Sequence, residues 1–147
     1  MGVEPPAVNA VDDIPFMPVE LFKSREVKST SWPTDHIFRS SGTSATPLRA
    51  AHHLDAAGGA WYRKVAALAW SSVWNTDVSG HDWLGLLPGY LGREDASLLA
   101  MLQGFCESAG HTGNRLWMHD HDSLSRALSD WDSDAQRRPL AVSYTHL

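Results

Sequence analysis

Residues 82–87 read DWLGLL and halt at Pro88. A short, nearly continuous apolar run closed by proline is the pattern of a buried strand, one with no face left for water. Helical periods stand on either side. In AAGGAWYRKVAALAWSSVW (56–74), Trp61, Val65, Leu68, Ala69, Ser72 and Val73 recur at i, +4, +7, +8, +11 and +12, one face of a helix. Asp55 is its expected N-cap. After the loop PGYLGRED comes ASLLAMLQGFCESAG (96–110), with Leu98, Met101, Leu102, Phe105, Cys106 and Ala109 on one face. Asp95 is expected to cap its start and Gly110 to close its end.

The pattern then repeats. NRLWMH (114–119) reads as a strand, SLSRALSDW (123–131) as a short helix capped by Asp122, and RPLAV (138–142) as a strand. HIF (36–38) is a strand candidate before the first long helix. Strand and helix alternate, which predicts an α/β fold: a mostly parallel sheet flanked by helices. In such sheets the loops leaving the carboxyl ends of strands hold the ligand. Two loops answer that description, RSSGTSATP (39–47) and PGYLGRED (88–95).

Upstream, residues 1–13 are Pro- and Ala-rich and read as a flexible lead-in. IPFMPVELFKSREV (14–27) follows. Pro15 and Pro18 forbid a regular helix through it, while Phe16, Val19, Leu21 and Phe22 ask for burial. An extended apolar strap laid on the rest of the fold meets both demands. Lys23 and Arg25 on it are expected in solvent.

The length of 147 residues suits one domain. A net charge of -5 lacks the basic excess of a phosphate-backbone binder, so nucleic acid is not expected as a partner. No apolar run reaches the length of a membrane span. The opening MGVEPPAV has neither a secretory n-region nor a myristoylation pattern. With Cys106 as the single cysteine, no internal disulfide forms, and a reducing, cytoplasmic setting is expected.

The loop in FRSSGTSATP (38–47) carries the chemistry. Phosphate oxygens need several N–H and O–H donors converging on one point. Small residues admit the backbone closely, hydroxyls add donors, and Gly42 permits a sharp bend. Ser40, Ser41, Gly42, Thr43, Ser44 and Ala45 are therefore the candidate phosphate site. The same composition also fits an ordinary surface turn. Neither the Walker spacing nor the dinucleotide fingerprint is present.

Taken together, IPFMPVELFKSREV, FRSSGTSATP and LLPGYLGREDASLLAMLQGF resemble, in order and spacing, the LuxE-type acyl-protein synthetases. That family of bacterial bioluminescence belongs to the adenylate-forming ligases. Its Pro-rich strap, SSGTTG loop and LLPSYL segment align with these three stretches, and LWMHDHDSL and RRPLAV resemble what comes next. The resemblance spans residues 14–142. It implies part of the N-terminal adenylation domain of the adenylate-forming fold. It also implies ATP and Mg²⁺ as cofactors, a long-chain fatty acid as substrate, and a fatty-acid reductase as protein partner. A fatty-acid carboxylate oxygen attacks the α-phosphorus of ATP and pyrophosphate leaves. A protein thiolate then takes the acyl group and AMP leaves. Residues 40–45 match the loop that holds the phosphates, with Ser44 in place of threonine and Ala45 in place of glycine; Arg49 is the nearest cation. Tyr90 and Arg93 match residues beside the nucleotide or acyl pocket, or else Tyr90 packs and Arg93 pairs with Glu94 or Asp95. The family's acyl-accepting cysteine has no counterpart here, so no catalytic residue is assigned and the chain alone is expected to be inactive. A phenylacetate- or aryl-CoA-type ligase and a non-catalytic α/β binding module are the alternatives.

Cys106 lies on an apolar helix face and is expected in the core. His119 and His121 in MHDHD, and His52 and His53, lack the spacing of a full metal ligand set, so no metal site is assigned. The closing VSYTHL (142–147) looks like the translation of a sequencing adapter, and residues 143–147 are set aside as a non-native tail.

Overall fold

The computed structural model describes residues 9–40, 48–87, 93–110, 116–117, 120–129 and 138–143, with a side chain in the last stretch only at Val142. DWLGLL forms strand β3 (His81–Leu86), begun one residue early at His81. Trp83 and Leu84 are buried, and Leu87 just beyond them is fully so. β3 pairs in parallel with β4 (Leu116–Trp117), through Gly85↔Leu116 and Leu86↔Trp117. On its other edge it pairs in parallel with β5 (Arg138–Ser143), from His81↔Arg138 to Leu86↔Ser143. β3 is thus the middle strand, with partners for its backbone groups on both edges, as a buried strand requires. The expected parallel arrangement of these segments holds. Of the six residues expected in β4 only Leu116 and Trp117 are among the described ones, and β5 runs on through Ser143, into the stretch set aside as a tail.

β1 (His36–Arg39) does not join that sheet. It pairs antiparallel with β2 (Ala51–Leu54), from His36↔Leu54 to Arg39↔Ala51. This departs from a uniform parallel layer, and β2 is a strand that the sequence pattern does not mark. AHHL is short and half polar, so only its cross-strand partner specifies it. The hydroxyl-rich loop therefore joins two antiparallel strands.

Helix α2 (Ala56–Trp74) starts as expected, the Asp55 carboxylate accepting from the Gly58 N–H at 2.6 Å. It ends at Asn75, in the left-handed region at φ 51°, where a short polar side chain is better tolerated than most. Its buried face is not the expected one. Trp61 (61% exposed), Leu68 (58%) and Val73 (74%) point to solvent, while Ala66, Ala67 and Trp70 pack against the core. The helix is apolar all round, so periodicity fits two stripes. The stripe with small residues wins because it lets α2 approach its neighbour closely.

That neighbour is α3 (Ser97–Ser108), which buries Leu99, Leu102, Phe105 and Cys106. The expected apolar face is largely right, and Gly110 supplies the left-handed exit at φ +72°. The Tyr62 hydroxyl bonds the Ser97 carbonyl at 3.0 Å and ties the two helices. Asp95 does not cap α3, however. Ala96 occupies the cap position with no side-chain bond, and the Asp95 carboxylate is turned elsewhere. In α4 (His121–Ser129) the cap is likewise shifted. Asp120, not Asp122, accepts from the Ser123 N–H at 2.9 Å, so the helix starts two residues before the expected point.

The core gathers between α3, the 3-10 turn Val78–Gly80 and β3. Trp83 is 1% exposed and donates its Nε1–H to the Val78 carbonyl at 2.8 Å, so its polar edge is satisfied. Trp70 meets it edge-on with ring centroids 4.8 Å apart, and Phe105 lies 4.7 Å away on a tilted plane. Each such ring removed from water contributes about 2 kcal/mol or more.

The strap behaves differently from expectation. Ile14, Phe16, Met17 and Val19 are exposed, Phe16 wholly. Only beyond Pro18 does the segment settle, as a single helical turn α1 (Leu21–Ser24), where the Phe22 ring stacks on His52 at 4.7 Å. Prolines at 15 and 18 withhold the N–H groups that would pair the strap with a strand edge, so nothing draws these side chains down.

Candidate functional site

Ser41, Gly42, Thr43, Ser44 and Ala45 lie outside the described residues, as does Tyr90. Ser40 and Arg93 are described, and with them the ground on which both candidate loops stand.

At the foot of the hydroxyl-rich loop Ser40 bonds through its N–H, its Oγ and its carbonyl. Its N–H donates to the Ala50 carbonyl at 3.0 Å, and its Oγ accepts from the Ala50 N–H at 3.0 Å. Its carbonyl accepts from Arg49 Nε at 2.7 Å. The two ends of the loop are thereby clamped one residue beyond the Arg39↔Ala51 pair. The Ser40 hydroxyl keeps its own O–H, which that geometry does not use.

Around this foot stand three guanidiniums and one carboxylate. Arg49 Nη2 lies 2.7 Å from Asp95 Oδ2, Arg93 Nε donates to Asp95 Oδ1 at 3.1 Å, and Arg39 Nε is 4.0 Å from Oδ2. The Arg39 N–H also bonds the Asp95 carbonyl at 2.9 Å. The end of one candidate loop is thus fastened to the start of the other. Asp95 feels two opposed influences. Partial burial pushes its carboxyl up, but the hydrogen bond from Arg93 and the charge of Arg49 outweigh that and hold it below the ordinary range. Arg49 Nη2 is buried, and its 2.7 Å approach pairs it with the Asp95 carboxylate.

Among the described residues three guanidiniums face the Asp95 carboxylate, in a chain of net charge -5, at the foot of a stretch of small hydroxyl residues. This arrangement can attract and orient an anion with several oxygens, for which forked arginine donors are suited. The phosphates of ATP fit these residues. Mg²⁺ finds less: among the described residues no three His, Cys, Asp or Glu gather to hold a cation.

Sequence reasoning found Arg93 and Arg49 but not Arg39; it gave Asp95 as a helix cap and also as a partner for Arg93, and the structure shows the pairing and not the cap. A usable signal was present, because Arg39 and Arg49 bracket the hydroxyl-rich loop closely on both sides. The other singled-out residues lie apart from this site. Cys106 is in the core, its Sγ 4.0 Å from the Trp83 carbonyl. His53 Nδ1 sits 3.2 Å from Thr34 Oγ1, and His121 opens α4 on the surface. His119 lies outside the described residues. Among the described residues no helix is long and apolar enough to cross a membrane.

No protein-family model, no curated protein and no solved structure matches this chain.

Proposed function

We propose that this chain carries the phosphate-holding part of an acid-activating, adenylate-forming ligase of the acyl-protein synthetase type. In this reading residues 40–45 and the arginines at their foot hold the phosphates of ATP, while a fatty-acid carboxylate is activated and passed to a protein thiol. The supporting observation is the gathering of Arg39, Arg49 and Arg93 around Asp95 at the base of the loop. The chain's own contribution is electrostatic and positional. Arg49 and Arg93 offer planar donors to oxygens that gain charge as pyrophosphate departs, and the clamp at Ser40 fixes where the loop begins.

The test is titration of the chain with ATP and with pyrophosphate, followed by calorimetry. Saturable binding is expected, weakened about tenfold or more in Gly42→Val and in Arg49→Gln and falling with added salt. Absence of binding by the unaltered chain, or binding indifferent to both substitutions, would favour a module in which the loop is only a turn. With ATP bound, tighter uptake of a long-chain fatty acid than of an aryl acetate supports the acyl substrate; the reverse order favours an aryl-acid ligase.

A further inference from the structure

A concavity opens at the start of β1, and none of Arg39, Arg49, Arg93 or Asp95 lines it. Its volume is about 380 Å³, within the range of small-molecule sites. Phe38 lines it together with Asp35 and His36 at the start of β1. Small residues on two helices make the room. Gly59 on α2 and Gly104 on α3 both line it, and a methyl group added at Gly59 would meet nothing within 4 Å. At Gly104 the same addition would come within 3.1 Å of the Arg63 side chain, so the stem of Arg63 lies across the bare glycine.

Asp35, Glu107 and Arg63 line it as exposed side chains, and no ion pair joins them to one another. Gln103 adds an amide that both donates and accepts. His36 packs edge-on against Phe38 at 4.7 Å, and its buried Nε2 has no hydrogen-bond partner. Exposed charges of both signs around a buried, unsatisfied ring nitrogen and an aromatic ring suit a ligand bearing both charges and an apolar body.

We propose that this cleft binds a free α-amino acid with an apolar or aromatic side chain. Its carboxylate goes to Arg63 and its ammonium to Asp35 and Glu107, while His36 and Gln103 complete the hydrogen bonding and Phe38 meets the side chain. The inference is independent of the ligase reading, since it uses neither the loop nor the arginines at its foot.

The experiment is calorimetric titration of the chain with L-phenylalanine, L-leucine, phenethylamine and 3-phenylpropionate. Saturable binding of an amino acid is expected, with each analogue lacking one charge at least about tenfold weaker. Gly59→Leu should abolish binding while leaving the fold intact by circular dichroism, because its side chain enters open space. Arg63→Gln should remove the preference for L-phenylalanine over phenethylamine. The proposal is overturned if neither amino acid binds at up to about 10 mM. It is equally overturned if phenethylamine or 3-phenylpropionate binds as tightly as L-phenylalanine, or if binding survives Gly59→Leu in a folded chain.

Discussion

The Arg39 N–H bonds the Asp95 carbonyl at 2.9 Å, so the last residue of β1 holds the backbone just ahead of α3. The Asp95 side chain meanwhile faces Arg49 and Arg93. Asp95→Asn keeps the backbone bond and removes the charge. Stability should fall by about 1 kcal/mol, since the pairs are only partly buried. Affinity for pyrophosphate should rise severalfold, because the carboxylate that competes for these guanidiniums is gone. Urea unfolding and calorimetry would read the two opposed effects, and a parallel loss of both would show that Asp95 only orders the arginines.

The same carboxylate predicts a pH dependence. Its folded pKa lies below the ordinary value, so the stabilisation is complete above the unfolded pKa of about 4 and is lost as pH falls through the lower folded value. Unfolding midpoints compared at neutral and strongly acidic pH should therefore drop further in the unaltered chain than in Asp95→Asn. Equal drops would remove Asp95 from the account of acid lability.

Of two adjacent glycines in the first turns of α2, only one should stabilise the fold when replaced by alanine. Gly59→Ala adds a methyl in open space and improves helix propensity, a gain of about 1 kcal/mol. Gly58→Ala would set its methyl 2.9 Å from the Asp55 oxygen that caps the helix. Displacing that cap costs about 1 kcal/mol and cancels the propensity gain. Thermal unfolding of the two variants checks the contrast, and equal stabilisation by both would show that the cap yields freely.

Trp83→Ala should be the most damaging of the substitutions considered. It empties the space shared with Trp70 and Phe105 and leaves the Val78 carbonyl without its donor. A loss of about 3–5 kcal/mol is expected in denaturant unfolding. Phe16→Ser should leave the unfolding midpoint unchanged, because Phe16 touches nothing that it stabilises. It should lower the binding of a hydrophobic dye and any concentration-dependent association, as removal of an exposed apolar side chain does. A clear shift of the midpoint would show that the strap packs.

What the sequence disclosed follows from where its signals are one-sided. DWLGLL has a single reading because every alternative leaves Trp83 and Leu87 wet. The apolar face of α3 was legible for the same reason. On α2 both stripes are apolar, and the choice of Trp70 over Trp61 is made by the partner helix rather than by the period. The caps misled in a similar way. Asp95 looks like a cap from its position, but Arg93 two residues away holds one of its oxygens and Arg49, which only the fold brings near, holds the other. β2 escaped notice because its specification lies in β1. For the candidate site, the loop and Arg93 were readable, while Arg39 joined them only through the pairing of the hairpin.

The middle position of β3 also sets an order of events. The hairpin β1–β2 and helix α2 are made from neighbouring stretches of chain, whereas His81 must wait for Arg138, and Leu86 for Ser143, before the second edge of β3 is covered. On a ribosome the hairpin can therefore settle while β3 still presents a bare edge, and the nascent chain is most prone to sticking in that interval.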